Sequence, residues 1–338
     1  MKAVRLVKTG TKAALELRAE SLPTPGNNEV LIRVHAVSLN YRDTAALRGE
    51  YPGKAKEDGI PISDGAGEVV AIGEGVSRVK PGDRVAVSCC TTWIGGRFVP
   101  EYYTGSVGFA IDGLLAEHVV FNEQALVHIP DYMSYPEAAS LPCAAVTAWT
   151  ALTKIEPLQP GQTVLVQGTG GVSLFALQFA KLFGARVLAI TSTDDKAARL
   201  KELGADAVVN YRTHPDWDRE ILALTDGNGV DQVLEIAGEK TIIKSAASTR
   251  VGGVISVIGF ASGFGGGLPP IDILTRGLTV TGSAIGPRLD FEAMLAAMAR
   301  HEVHPIIDRV YPFSEYREAY QRLESGQQVG KVVIQVTD

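Results

Sequence analysis

The chain has 338 residues, which is too long for one compact core and favours two domains. Its net charge of -6 lacks the basic excess of nucleic-acid-binding proteins, so we expect no nucleic-acid partner. No apolar run reaches the length of about 18 residues that a membrane helix needs, and the N-terminus has no signal-peptide pattern. Because no apolar run is long enough, we expect no membrane partner, and the three cysteines make no disulfide framework, which favours a cytoplasmic protein.

The first part of the chain, to about residue 125, predicts a mostly β module. Short β segments over Glu29–Val37, Gly67–Ile72 and Arg84–Val87 are separated by turns rich in Gly and Pro.

From Pro160 onward, apolar strands alternate with helices. The predicted strands are 163–167, 186–191, 207–210, 230–236, 253–258 and 278–283. The predicted helices are 172–183, 196–203 and 290–300, and a last strand is predicted near 330–334. Continuous apolar strands that alternate with helices are typical of a parallel sheet covered on both faces.

A glycine-rich loop connects the first of these strands to its helix. The loop residues are Gly168, Thr169, Gly170, Gly171, Val172 and Ser173. Glycines at the first and third positions let the backbone approach a pyrophosphate, and the helix N-terminus offers free N–H groups. Because a strand precedes the loop and a helix follows it, we predict that it binds a dinucleotide.

The residues after the second strand favour NADP(H) as this dinucleotide. A fold that binds NAD usually has Asp or Glu there, which bonds the ribose 2′-OH and would repel a 2′-phosphate. Here hydroxyls stand in that place, and two aspartates come later, where the next helix is predicted to begin. The residues predicted to hold the 2′-phosphate are Ser192, Thr193, Lys196 and Tyr211. The alternative is that the hydroxyls only cap the next helix and that Lys196 lies on its solvated face.

Several segments in a fixed order carry a family resemblance. They include Leu39-Asn40-Tyr41-Arg42-Asp43, Pro81-Gly82-Asp83-Arg84-Val85, the tract from Pro142 to Trp149, the glycine loop and Gly330-Lys331-Val332-Val333. Over its whole length the chain resembles the medium-chain dehydrogenase/reductase superfamily, in particular its zinc-independent quinone oxidoreductase-like branch. The resemblance implies an α/β fold class with a GroES-like β domain plus a Rossmann doubly wound parallel sheet domain.

The resemblance also implies domain boundaries and an assembly. The GroES-like catalytic domain is expected over residues 1–125, completed by 300–338, and the Rossmann cofactor-binding domain over 126–299. Relatives often dimerise by pairing an edge strand of the Rossmann sheet, so we expect a homodimer through residues 278–283.

Zinc-dependent relatives provide a comparison for the catalytic metal. Asn40, Ser63 and Asp64 stand where those relatives carry Cys, His and Glu, and Cys143 matches their second Cys. The site then offers Cys143 and Asp64 at most, fewer than the roughly three protein ligands of a catalytic zinc. The structural zinc lobe is missing too, since only Cys89-Cys90 stands in its place. We therefore predict no metal.

Without a metal, hydrogen-bond donors must stabilise the charge that hydride transfer develops. The predicted catalytic residues are Asn40, Asp43, Tyr51 and Ser63. The resemblance implies that Asn40 and Asp43 lie near the nicotinamide ribose, and the phenol of Tyr51 is a candidate proton donor. The alternatives are an Asx turn for the pair and simple packing for Tyr51.

Further cofactor contacts are predicted at strand ends, where a doubly wound sheet binds its ligand, and at positions matched by the resemblance. They are Asn40, Thr147, Ala237, Gly238, Ile258, Gly259, Phe260, Ser283 and Lys331. The predicted function is NADPH-dependent hydride transfer to a small quinone, enone or carbonyl substrate. Three alternatives remain: a zinc-type alcohol dehydrogenase with a reduced ligand set, an enoyl-thioester reductase, and a non-enzymatic NADPH-binding protein.

Overall fold

The computed structural model describes residues 1–9 and 12–337, and backbone contacts divide the chain into two compact units. Unit 1 comprises Met1–Val146 with Gly286–Asp338, and unit 2 comprises Thr147–Ile285. Within the described ranges, no helix is both long and apolar enough to cross a membrane.

Strands and helices follow each other closely along the chain. The strands are β1 (Lys2–Thr9), β2 (Lys12–Ala19), β3 (Glu29–Ser38), β4 (Asp64–Ile72), β5 (Arg84–Val87), β6 (His118–Asn122), β7 (Leu126–His128), β8 (Thr163–Gln167), β9 (Arg186–Thr191), β10 (Ala207–Asn210), β11 (Val230–Glu235), β12 (Thr249–Val257), β13 (Thr279–Gly282), β14 (Ile307–Pro312) and β15 (Lys331–Gln335). The α-helices are α1 (Tyr41–Arg48), α2 (Tyr135–Ala139), α3 (Ala144–Thr153), α4 (Gly171–Leu182), α5 (Asp194–Glu202), α6 (Trp217–Leu224), α7 (Ile242–Ser248), α8 (Pro270–Arg276), α9 (Arg288–Arg300) and α10 (Tyr316–Glu324).

Unit 1 is built on a seven-stranded sheet in the order β14-β15-β3-β4-β5-β7, with β6 paired to β3, and β1 and β2 form a separate pair. The central strand β3 is almost wholly buried, and its Val and Ile side chains belong to the unit's core. Such β-branched residues suit a pleated, covered surface. The antiparallel pairing of β3 with β4 and β15 brings Ser38 opposite both Asp64 and Val333.

Unit 2 is a six-stranded parallel sheet in the order β10-β9-β8-β11-β12-β13. Leu165, Leu188, Val233 and Ile255 from its middle strands are fully buried in one core, as continuous apolar strands covered by helices should be. The strand order reverses between β8 and β11, and a doubly wound sheet binds ligands at such a point, outside the carboxyl ends of its strands. The β-rich unit 1 and this parallel sheet confirm the predicted fold class.

The contact-based units differ from the expected boundaries of 125 and 300. Residues 126–146 belong to unit 1 because β7 pairs with β5 and α2 packs on β3 and β4. Residues 286–299 belong to it as well, because Arg288 donates to the Gln124 side chain (2.6 Å) and Glu292 pairs with Arg78 (2.9 Å). The side chains that join these segments are far apart in sequence, so apolar periodicity does not reveal them.

Candidate functional site

The first turn of α1 holds two of the predicted catalytic residues. Asn40 precedes the helix in an extended conformation, and its N–H donates to the Asp43 carboxylate (2.7 Å). Asp43 is only 6% exposed. Burial raises its pKa to about 6, while the Arg42 charge and the Asn40 N–H act in the opposite direction. The pair therefore closes the turn and places a buried carboxyl group beside Asn40.

Lys331, at the start of β15, orients the Asn40 side chain. Its ammonium donates to Asn40 Oδ1 (2.6 Å) and to the Leu39 carbonyl (2.8 Å), and it lies 3.7 Å from Asp64 Oδ2. Because the amide oxygen accepts from Lys331, the amide nitrogen points elsewhere. Asn40 Nδ2 is buried and has no partner among the residues that the structure describes. It is therefore a donor that is available to a ligand.

Asp64 begins β4 and Ser63 directly precedes it, and both are fully buried. Ser63 Oγ donates to Asp64 Oδ1 (2.8 Å), and the Cys143 N–H donates to Asp64 Oδ2 (3.1 Å). The preceding residue, Ile62, has a φ of 73°. A β-branched residue in this region is strained by about 1–3 kcal/mol, and such strain clusters at functional sites. The backbone here is held in the conformation that turns Ser63 and Asp64 inward.

Cys89 joins this site, although the sequence suggested only Asp64 and Cys143. The oxygen and sulfur atoms of Asp64, Cys89 and Cys143 lie within 4.8 Å of one another. The expectation of two donors at most is therefore wrong. The register explains the third: β5 pairs antiparallel with β4, with Ala86 opposite Ala66, so the chain just after β5 lies beside the start of β4. Only this register, and no sequence motif, brings Cys89 there.

The cysteines of this region differ in protonation. A hydrogen bond from Cys143 lowers the pKa of Cys89, as does the charge of Arg42, whereas burial opposes both. The same hydrogen bond, together with burial, raises the pKa of Cys143 well above its ordinary value. Cys89 is thus the better anion of the pair, and Cys143 holds the proton. The neighbouring Cys90 donates to the Tyr102 carbonyl, and burial raises its pKa to about 12.

Arg42 connects these cysteines to Tyr51. The guanidinium donates to Cys89 Sγ (3.1 Å) and to Ser106 Oγ (3.0 Å), and it lies 5.4 Å from the centre of the Tyr51 ring. Phe109 meets the same ring edge-on at 4.9 Å. Burial raises the pKa of Tyr51 to about 12, with Arg42 acting in the opposite direction, so the phenol keeps its proton at neutral pH. We call Arg42, Asp64, Cys89, Cys143 and Lys331 the charged cluster.

In unit 2, the glycine loop has the geometry of a backbone cradle. Gly168 has a φ of 74°, which glycine adopts readily. Gly170 has a φ of -75°, and a Cβ added there would meet nothing within 4 Å. Protein packing therefore does not require glycine at 170, whereas close approach of a pyrophosphate would. Ser173 is buried and donates to the Gln167 carbonyl (2.6 Å), which holds α4 against β8.

The segment after β9 presents hydroxyls before its first acid. Thr193 caps α5 by accepting the Lys196 N–H (3.3 Å), and Ser192, Thr193 and Lys196 are half-buried. Asp194 and Asp195 are exposed in the first turn of α5, where the sequence placed a helix start. Tyr211 follows β10, and its side chain is exposed.

Glu235, the last residue of β11, accepts hydrogen bonds from the residues that follow β11 and β12. The sequence analysis did not name it as a site residue. Its fully buried carboxylate accepts from the N–H groups of Ala237 (2.9 Å) and Gly238 (2.8 Å) and from Gln167 Nε2 (2.9 Å). Its carbonyl accepts from the Ile258 N–H (2.8 Å). An acid directly after the apolar Val233-Leu234 at the end of the strand is the signal that could have identified it.

The remaining predicted residues of unit 2 have definite positions too. Gly259 leaves no room for a side chain, because a Cβ would lie 2.4 Å from the Ile236 carbonyl oxygen. The Phe260 ring stacks on Phe264 at 4.3 Å. Ser283 Oγ is buried with no partner in the described part of the chain. Thr147 donates to the Ala284 carbonyl (3.1 Å).

The predicted residues therefore form two groups. Asn40, Asp43, Ser63 and Lys331 come together in unit 1, with Tyr51 connected through Arg42. The glycine loop and the residues after β9 to β13 come together in unit 2, at the carboxyl edge of the parallel sheet. Asn40 and Lys331, also predicted to contact the cofactor, lie in unit 1.

Comparisons with known proteins agree with both units. A family model for an alcohol dehydrogenase GroES-like domain matches residues 26–131, and one for a zinc-binding dehydrogenase matches residues 171–300. A zinc-type alcohol dehydrogenase-like protein of Schizosaccharomyces pombe is 38% identical over 330 residues, covering 95% of each chain. A solved NAD-dependent alcohol dehydrogenase is 34% identical with a TM-score of 0.89 over 100% of both chains. A solved mycobacterial protein complexed with NADPH is 28% identical with a TM-score of 0.83, covering 99% of this chain and 100% of that one.

Proposed function

Because the chain belongs to the medium-chain dehydrogenase/reductase superfamily, we propose that this oxidoreductase uses NADPH to reduce a small quinone, enone or carbonyl compound without a catalytic metal. The observation that carries the proposal is the charged cluster, in which two fixed cations contact the groups that would otherwise bind zinc. Beside this cluster, Asn40 has a buried amide donor without a partner among the described residues.

Zinc is the metal that the family implies, and the donor atoms allow a test of its fit. Asp64, Cys89 and Cys143 are enough in number for a catalytic zinc. However, Arg42 already donates to Cys89, and Lys331 lies 3.7 Å from Asp64. Both cations lie against donor atoms that a zinc ion would need, so a divalent ion there would face two fixed positive charges at short range. These residues therefore do not fit a resident zinc.

The residues of unit 1 supply what a metal would otherwise provide. Reduction of a carbonyl or quinone places negative charge on the substrate oxygen, which needs preorganised donors. Asn40 Nδ2 is such a donor, since Lys331 fixes the other end of the amide. Tyr51 keeps its proton because burial raises its pKa to about 12, so it can deliver that proton to the substrate oxygen.

Unit 2 binds the dinucleotide in this proposal. NADPH would supply the hydride when bound. The open space at Gly170 supports a pyrophosphate at the glycine loop. Hydroxyls of Ser192 and Thr193, followed by Lys196, support a 2′-phosphate after β9. The first acid after β9 is Asp194, and its carboxylate accepts a hydrogen bond from Asn210 Nδ2 (2.8 Å). This carboxylate therefore has a partner within the protein and does not need a ribose hydroxyl.

The assembly proposed is a homodimer. β13 pairs with β12 and is the last strand of the described sheet, so one of its edges is open to another strand. Val280 in this strand is 38% exposed. Two copies that pair along β13 would cover this edge, which isolated proteins rarely leave open. Light scattering should then give twice the chain mass, and Val280→Lys should give the chain mass.

A panel of substrates tests the function itself. NADPH oxidation across a panel of quinones, enones, aldehydes and enoyl thioesters should show turnover with one of the first three classes. Absence of turnover together with tight NADPH binding would contradict the enzymatic proposal, and a preference for the thioesters would contradict the substrate class.

The cofactor preference has a matched pair of variants on α5. Dissociation constants should favour NADPH over NADH, and Lys196→Ala should weaken NADPH binding about tenfold while leaving NADH binding unchanged. Lys201→Ala removes an exposed lysine on the same helix and should change neither constant. Equal affinity of the unmodified protein for NADH and NADPH would contradict the assignment of the 2′-phosphate site.

A further inference from the structure

Cys89 and Cys143 form a hydrogen-bonded pair of thiols. Their sulfur atoms lie within 4.8 Å of each other, and the protonated Cys143 donates to Cys89. Among the described residues, none of the three cysteines is part of a disulfide. A disulfide needs the sulfurs to approach to about 2.05 Å, which is a shift of less than about 3 Å. The pair is therefore already close to a bonded arrangement.

The surroundings make Cys89 the nucleophile of the pair. Arg42 Nη1 donates to the Cys89 sulfur at 3.1 Å, a contact that favours the thiolate form. Reactive cysteines typically have such a cationic neighbour. Cys89 itself is 3% exposed, whereas Cys143 beside it is partly exposed, so a small oxidant would approach the pair from the Cys143 side.

Cys90 provides an internal contrast. It is the next residue and equally buried, yet its sulfur donates to the Tyr102 carbonyl (3.1 Å), and burial raises its pKa to about 12. No cation donates to it among the contacts of the described residues. Sequence position and burial are thus matched between Cys89 and Cys90, whereas the chemical environment is not.

We propose that Cys89 and Cys143 are a peroxide-reactive dithiol, with Cys89 as the attacking sulfur and Cys143 as the resolving one. The Cys89 thiolate attacks one oxygen of hydrogen peroxide, the O–O bond breaks, and the leaving hydroxide takes a proton from solvent to become water. Cys143 sulfur then attacks the sulfenic sulfur of Cys89, and the expelled hydroxide takes the Cys143 proton as a second water. The two sulfurs lose two electrons, and the peroxide gains them.

Oxidation would change the charged cluster. The disulfide removes the anion that Arg42 faces, and closing it pulls on the segment whose N–H donates to Asp64. We therefore expect turnover to fall on oxidation and to recover with dithiothreitol. The modification itself does not depend on the proposed substrate or cofactor, because it is read from thiols and mass.

The experiment treats the purified full chain, first incubated with a chelator, with hydrogen peroxide and counts thiols after denaturation. The unmodified chain should fall from three thiols to one and lose about 2 Da, and peptide mapping should link Cys89 to Cys143. Cys90→Ser should lose the same 2 Da. Cys143→Ser should stop at the sulfenic acid of Cys89, which dimedone traps, and Cys89→Ser should keep both thiols.

Several results would overturn the proposal. The first is that all three thiols remain at a peroxide dose that oxidises dithiothreitol. The others are a Cys89–Cys90 disulfide, a disulfide between two chains, and oxidation of Cys90 as fast as that of Cys89. The thiol count of the unmodified chain needs no variant, so poor folding of a Cys89 or Cys143 variant leaves the test decisive. Unfolding the chain before peroxide addition should abolish the selectivity, since the Arg42 contact exists only in the fold.

Discussion

Replacing Lys331 with Met tests a buried cation of unit 1. The ammonium is 3% exposed, donates to Asn40 Oδ1 and the Leu39 carbonyl, and lies 3.7 Å from Asp64 Oδ2. Met has a similar length but no donor, so the substitution leaves a buried carboxylate without its cation and two oxygens without a hydrogen bond. The Asn40 amide also loses the contact that fixes its orientation.

The structure allows an estimate of both effects. Breaking a buried ion pair by removing one partner costs about 3–5 kcal/mol, and burial of the pair means that solvent screening does not reduce this figure much. The free energy of unfolding should fall by that amount. A donor displaced by about 1 Å can lower a rate about a hundredfold, so kcat/KM should fall by about that factor.

Urea unfolding and NADPH oxidation measure these effects on the same preparation. Lys54→Met is the control, because Lys54 is exposed in the same unit and its loss should change stability by less than about 0.5 kcal/mol. If Lys331→Met is as stable and as active as Lys54→Met, Lys331 neither compensates Asp64 nor positions Asn40, and the account of the charged cluster fails.

Two further predictions concern Asp43 and Gly170. The fold raises the pKa of Asp43 from 3.8 to about 6. Protonated Asp43 therefore stabilises the folded state fully below about pH 4, and this stabilisation is lost as the pH rises through 6. The free energy of unfolding should fall by about 3 kcal/mol across this range. In urea titrations between pH 4 and 7, Asp43→Asn should make the free energy of unfolding depend less on pH. An unchanged slope of that free energy against pH would contradict the pKa assignment. Gly170→Ala should change the free energy of unfolding by less than about 1 kcal/mol but weaken NADPH binding at least about tenfold, as calorimetry can measure. Gly267→Ala, also in open space, is its control, and equal NADPH affinity for the two variants would refute the cradle.

Much of unit 2 could be predicted from the sequence. β8, β9 and β10 begin and end at the predicted residues, because buried parallel strands are continuous apolar runs that Gly or polar residues interrupt. β12 is less simple: it begins at Thr249, four residues before the predicted start. Gly252 and Gly253 interrupt its apolar pattern, and the pairing with β11 is irregular there. Glycines in a strand weaken the local signal that periodicity depends on.

The site was predictable only where a motif is local. The glycine loop and the Asn40–Asp43 turn are each contained in a few consecutive residues, and the structure gives both a definite geometry. Cys89 depends instead on the pairing of β4 with β5. Lys331 was predicted as a cofactor contact, but its contacts with Asn40 and Asp64 depend on the pairing of β15 with β3. Contacts of this kind are set by strand register across the sheet, which one sequence does not specify.

The central claim, that this protein polarises its substrate with side chains and without zinc, is tested by metal content and turnover in one preparation. Purified protein should contain far less than one zinc per chain by mass spectrometry, and NADPH oxidation should survive a chelator at full rate. Stoichiometric zinc that is lost together with activity, and restored with it on adding zinc back, would contradict the account and identify Asp64, Cys89 and Cys143 as the metal's ligands.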